Sequence, residues 1–387
     1  MLLRASYQRE IDKFCQTIVG GEFNVREITK GALTQARAKL NPWAFKRLSE
    51  VALNTFYKEA EYTVWQNYRI LAVDGSRLKL PYSVDISKVF GEYKVGPKAN
   101  SRVIMASCSL LYDVLNHTVV DSQIGPWSKS EKDFLFEDHL SKITKEDLII
   151  ADRYYPSYEL MLRLEQRGAA YCLRMKENWW IGVKEFVKSG EEERIVEFEI
   201  PEELKERLKL AKSKKVIRCR LIRIELEKGI EILCTSLTDK RKYPIDQFGA
   251  MYELRWGIEE GFKLLKSRME LEAFTGKTAR SIEQDFYAKV FMLNLCATLA
   301  YPIEEKIKEE CAKEKTGNKF DQKMNRTYAV SLLKDNIVNI FYKKTWQQII
   351  DLIDKIIFIT RDIIRPFRKN PRRIKVPKQY HPNYKPI

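Results

Sequence analysis

Residues 147–152 read DLIIAD, a short and wholly apolar run closed by an acid. A strand with one face in water alternates, so a run like this fits a strand buried on both faces. Such a strand needs helices above and below its sheet. The flanking sequence supplies them: YPSYELMLRLEQRG reads as a helix opened by Pro156 and stopped by Gly168, and SEKDFLFEDHLSKI reads as one with Ser130 as N-cap. YRILAVDGS, RVIMASCSLL, TVVDSQI and AYCLRMK read as further strands. Strands and helices alternating around a buried sheet mean an α/β fold.

Other parts differ in texture. Residues 1–67 are helical in pattern, with LTQARAKLNPWAFKRLSEVALNTFYKEA carrying cations between its apolar positions and Pro42 opening a helix near Asn41. This module either touches DNA or is an ordinary bundle. Residues 178–238 hold RIVEFEI, KVIRCRLIRIEL and IEILCTSL around a short helical patch, and read as a β-rich insertion. Residues 301–387 continue as a helical region that ends in the basic, proline-rich tail RPFRKNPRRIKVPKQYHPNYKPI, expected to be extended.

One helix carries most of the chemistry. In YELRWGIEEGFKLLKSRMELEAF, read as part of one helix over about 245–270, Tyr252, Arg255, Glu259, Lys263 and Lys266 fall at offsets 0, 3, 7, 11 and 14. At about 100° per residue they share an arc of roughly 80°. Met251, Leu254, Ile258, Phe262, Leu265 and Met269 form the adjacent apolar face. One carboxylate among cations and a phenol suits a metal-bound phosphate chain. Two more acids stand at strand ends, Asp74 in LAVDGS and Asp152 in IIADRYYPS, where open α/β sheets bind ligands. Each has an ordinary reading as well: Asp-Gly makes turns, and Asp152 can pair with Arg153. Together with Glu259 they could enclose Mg²⁺, and two ions about 3.5–4 Å apart would serve phosphodiester chemistry.

Composition bounds the partner. Lys and Arg number 69 against 53 acids in 387 residues, a formal charge of +16 that favours a polyanion, most simply nucleic acid. Seven scattered cysteines without a C-x-x-C pair read as reduced thiols, and three histidines lack metal-ligand spacing. No apolar run approaches a membrane span, and MLLRASYQRE lacks the features of a secretory leader, so a cytoplasmic protein without a membrane partner is expected.

Three segments together resemble the bacterial insertion-sequence transposases of the DDE type. LAVDGSRLKLP is similar to the strand carrying their first acid, and IIADRYYPSYEL to the D-R-x-[YF] neighbourhood of the second. YELRWGIEEGFKLLK carries the Y-x2-R-x3-E-x6-K signature on Tyr252, Arg255, Glu259 and Lys266. The resemblance spans about 68–300. It implies an RNase H-like catalytic core with the β-rich insertion, flanked by the helical N- and C-terminal regions. It implies that Asp74, Asp152 and Glu259 hold two Mg²⁺ ions, with Mn²⁺ as a substitute. Tyr252, Arg255 and Lys266 would hold the DNA backbone, with Trp256 and Lys263 as weaker additions; Trp179 and Trp180 either stack on a flipped base or pack the insertion. The implied activity is binding of inverted-repeat ends, strand cleavage and strand transfer to target DNA, possible through a hairpin, by a homodimer on DNA at the nucleoid. Two alternatives stay open: an RNase H-like nuclease without strand transfer, and a domesticated DNA-binding protein that no longer cuts.

Overall fold

The computed structural model describes residues 7–19, 27–95, 101–227, 229–313 and 321–364. The basic tail from Arg365 onward lies outside the described residues. Three helices come first: α1 (Tyr7–Val19), α2 (Lys30–Lys39) and α3 (Trp43–Glu59). Pro42 stands just before α3, and the Asn41 side chain accepts from the Trp43 amide at 3.0 Å.

The chain then builds a nine-stranded sheet from β1 (Arg69–Lys79), β2 (Glu92–Val95), β3 (Ser101–Asp113), β4 (Thr118–Pro126), β5 (Asp147–Ala151), β6 (Ala170–Met175), β7 (Glu193–Glu199), β8 (Val216–Leu226) and β9 (Gly229–Thr235). Its order is β2-β3-β1-β5-β6-β9-β8-β7, with β4 also on β3. β1, β5 and β6 run parallel at the centre, and the remaining pairings are antiparallel. The strands expected as an insertion therefore prolong the same sheet through the β6–β9 pairing.

Helices between the strands cover both faces: α4 (Val84–Phe90), α5 (Glu131–Glu137), α6 (Tyr158–Gln166), α7 (Ile181–Ser189) and α8 (Glu202–Arg207). Ser130 caps α5 in a reciprocal capping box with Asp133, and Ser157 caps α6, one residue after the proline that opens the segment. Gly168 stops that segment at φ +72°, a backbone setting that glycine adopts freely.

Strand parity sorts the core into two layers. Leu71, Val73, Ile149 and Ala151 pack with Leu135, Leu160 and Leu164 of α5 and α6. Ile70, Ala72, Leu148 and Ile150 face the other way, onto α9 (Asp246–Glu253), α10 (Trp256–Ser267) and α11 (Ala279–Lys313). The DLIIA run is fully buried because alternate residues serve opposite layers. A mixed sheet with helices on both faces is the α/β, RNase H-like architecture expected from the sequence.

Helix α11 runs through residue 300 and packs on α3 and β4. By length and composition it is apolar enough to cross a membrane, yet 61% of the relevant window is buried inside the structure. It holds Asn294, whose side chain bonds Ser49 and the Val119 backbone. The C-terminal region adds α12 (Arg326–Tyr342) and α13 (Trp346–Ile359), together with a small ribbon of β10 (Gln322–Met324) and β11 (Arg361–Ile363) that the helical reading did not expect.

Candidate active site

The register of the parallel strands brings the first two acids together. The last β1–β5 rung pairs Ala72 with Ile150. Asp74 lies two residues beyond it on β1, and Asp152 two residues beyond it, just past the end of β5, so the register sets both at the same end of the parallel centre. Asp74 keeps the parity of Ala72 and so belongs to the face that α9 and α10 cover. At the other end of the strands Arg69 pairs with the buried Asp147 at 2.8 Å and pins the same register.

Each acid is held by local bonds. The Gly75 amide donates to Asp74 Oδ1 at 2.8 Å, and the Tyr154 amide to Asp152 Oδ1 at 2.9 Å. Burial pushes the Asp74 carboxyl up to about 6, and nearby Glu131 and Asp152 add to that. The Gly75 amide and the Arg255 guanidinium oppose the rise.

Glu131, in the first turn of α5, is a carboxylate that the sequence reading missed. Burial raises its pKa, and Asp152 raises it further. The Tyr155 hydroxyl donates to its Oε2 at 3.2 Å. Gly75 makes room for it: a Cβ there would lie 2.3–2.6 Å from the Glu131 side chain. In the sequence SEKDFLFE reads as a normal capped helix start, so the signal was the glycine after Asp74 and not the glutamate itself.

The third expected acid comes from a different kind of support. The signature segment is two helices rather than one. Between them the amides of Leu254, Arg255, Gly257 and Ile258 bond carbonyls three residues back. In such turns each residue advances about 120° instead of 100°, so Tyr252 rotates away from the arc shared by the later residues. Tyr252 is 3% exposed, and its hydroxyl donates to the Ala151 carbonyl at 3.2 Å. It braces the end of the strand that carries Asp152.

Arg255 is buried; its guanidinium lies 4.3 Å from the centre of the exposed Trp256 ring and 3.3 Å from Glu259. The Glu259 side chain is 44% exposed and faces that arginine. Gly257 and Gly261 let α10 settle on β3, against Val114 and Tyr112. Lys266 donates to Ser76 Oγ at 2.6 Å, two residues past Asp74. Lys263 is exposed and 3.7 Å from Glu260. Trp180 packs against Tyr158 and Phe198, while Trp179 is half exposed with Lys176 above its ring.

The structure thus gathers Asp74, Asp152 and Glu131, and sets Arg255 close enough to act on Asp74 and Glu259 alike. Among the described residues no three acid, histidine or cysteine side chains already converge as an ion cage. The donor chemistry nevertheless fits a hard divalent cation: carboxylate oxygens dominate, and they raise one another's proton affinity in a way that a cation would relieve.

The transposase DDE domain family matches residues 65–295 of this chain. The transposase InsG for insertion sequence element IS4 of Escherichia coli (strain K12) is 22% identical over 275 residues, covering 69% of this chain and 60% of that protein. The transposase for insertion sequence element IS231F of Bacillus thuringiensis subsp. israelensis is 20% identical over 333 residues, covering 74% and 66%. The IS231E transposase of Bacillus thuringiensis subsp. finitimus is 24% identical over 313 residues, covering 68% and 61%. The chain therefore spans about 60–66% of the length of these relatives.

Proposed function

We propose, from the premise that this chain belongs to the insertion-sequence transposases with a DDE domain, that it cleaves and joins DNA at the ends of its own element. The observation that carries this reading is the parallel register that sets Asp74, on β1, and Asp152, just past β5, at the same end of the sheet, with Arg255, the partner of Glu259, near Asp74.

In this reading Asp74, Asp152 and Glu259 are the carboxylates that hold Mg²⁺, and Mn²⁺ substitutes. When bound, the ions supply an activated nucleophile and neutralise charge on the leaving oxygen. The protein's own work is positioning. Tyr252 fixes the strand end under Asp152. Arg255 and Lys266 meet backbone phosphates next to the scissile bond, and Trp256 extends that surface; Lys263 adds a peripheral cation. Phosphate contacts of this kind orient the duplex more than they read its sequence. Glu259 joins the other acids once a phosphate takes over Arg255. The partners are the inverted-repeat ends and the target duplex, engaged by a homodimer in the cytoplasm at the nucleoid. Residues 1–67 form the DNA-binding-like region, 68–300 the catalytic domain and 301–387 the C-terminal region.

The test is a cleavage and strand-transfer assay with uncleaved repeat ends and a supercoiled target plasmid. Joined end–target products support a transposase. Nicked ends with no joining at any end concentration identify a nuclease, and specific binding without nicking identifies a non-cleaving DNA-binding protein.

A further inference from the structure

A second set of polar groups lies directly behind Asp74, on the layer covered by α5. Ser109 sits on β3 opposite Gly75 in register, and its hydroxyl donates to the Asp74 backbone carbonyl at 3.2 Å. His139, in the short 3-10 turn His139–Lys142 after α5, places Nε2 2.9 Å from Ser109 Oγ and Nδ1 2.8 Å from Asp121 Oδ2. Asp121, on β4, also receives Lys46 of α3 on Oδ1 at 3.1 Å and Gln123 on Oδ2 at 2.9 Å. Ser109, His139 and Asp121 are buried.

A serine, histidine and aspartate in this order invite a nucleophile reading, and the geometry rejects it. The Ser109 hydroxyl also bonds the Asp74 carbonyl, and the Asp121 carboxylate can only accept, so Nδ1–H donates to it. Ser109 and His139 are both fully buried, so no substrate reaches the hydroxyl.

We propose that Asp121, His139 and Ser109 form a positioning chain that fixes the Asp74 segment of β1 and ties it to helix α3 through Lys46. The inference rests on the reading of Asp74 as a catalytic carboxylate. Its physical basis is that a buried, fully satisfied network holds one arrangement, because each unpaired member would bear a desolvation cost. Past Ala72 the β1 strand has lost β5 as a neighbour, so its fixation depends on β3 and on this chain. Lys46 brings α3 into this network, so a shift of α3 on the sheet reaches the Asp74 backbone through four hydrogen-bonded residues.

The experiment uses the full chain without DNA and compares wild type with Lys46→Met, Ser109→Ala and the double variant. Amide hydrogen exchange is read in the peptide covering 70–78, with β6 as an internal control. The proposal expects both single variants to speed exchange in that peptide about tenfold while β6 stays unchanged. It expects the double variant to do no more than Ser109→Ala alone. Mn²⁺ affinity, measured by spin resonance of free Mn²⁺, should fall about tenfold in Ser109→Ala, the low end for partners that orient a metal ligand. Exchange in 70–78 that is unchanged in Lys46→Met, or that rises equally in β6, overturns the chain. A wild-type protein that binds no Mn²⁺ contradicts the metal reading instead and leaves the exchange result to judge the chain.

Discussion

Asp74 and Asp152 reach the site by backbone register, whereas Glu259 reaches it by a side-chain ion pair. The first two are set two residues beyond a β-rung, Asp74 on β1 and Asp152 just past the fully buried β5. The third stands on an exposed turn of α10 and points to Arg255. The contrast teaches that the sheet half of the site is built by folding, while in the proposed reading the helix half is completed by an exchange of partners. Glu259 is the exposed partner of this bridge and Arg255 the buried one, so it is the carboxylate that is free to turn.

The largest expected effect lies on the sheet side. Asp152→Asn should lower single-turnover nicking by about 10³-fold or more, since several kcal/mol of charge stabilisation depend on that carboxylate. Repeat-end binding should persist in gel-shift titrations. A loss below about tenfold would remove the preformed half from the account.

Next comes a stability effect with a definite sign. Asp74 holds its proton up to about 6 in the folded chain, against a usual value of 3.8. The folded state therefore binds more protons between those values, so stability without metal falls as pH rises through that window and is level above it. The size is on the order of 3 kcal/mol. Asp74→Asn should remove most of this fall in denaturant titrations run from pH 4 to pH 7. A fall of undiminished size in the variant would show that other groups carry it.

Lys266→Ala probes the helix side. Its ammonium sits on Ser76, beside the acids, and should reach a phosphate. The slope of log K against log salt should shrink by about 1. An unchanged slope would separate this lysine from the DNA.

Tyr252→Phe should have the smallest effect. Losing one buried hydroxyl bond costs about 1 kcal/mol of stability, and the ring stays packed. The salt slope should not move, because the hydroxyl is bonded to the Ala151 carbonyl. A changed slope would mean that Tyr252 meets DNA directly and would weaken the division between bracing and binding residues.

The buried parallel centre was legible in the sequence because alternation and apolar runs report burial directly. DLIIAD and YRILAVDGS read as strands, and β5 (to Ala151) and β1 (from Arg69) fill them. The nearness of Asp74 and Asp152 follows from a register that spacing alone does not give. Glu131 was hidden because a capped helix start looks the same whether its glutamate meets solvent or an active site. The tightened turn at 254–258 was hidden as well: Leu254 and Arg255 are good helix formers, so nothing marks the change from four- to three-residue bonding. The β10–β11 ribbon is three residues per strand, too short to show a period.

The most direct test of metal-dependent cleavage by these three carboxylates uses purified protein and linear DNA carrying the element's inverted repeat. Nicking is compared in Mg²⁺ and in EDTA, for wild type and for Glu259→Ala. The account predicts Mg²⁺-dependent nicking at the repeat boundary, abolished in Glu259→Ala while end binding persists. Nicking that survives EDTA, or that is equally fast in Glu259→Ala, would contradict it.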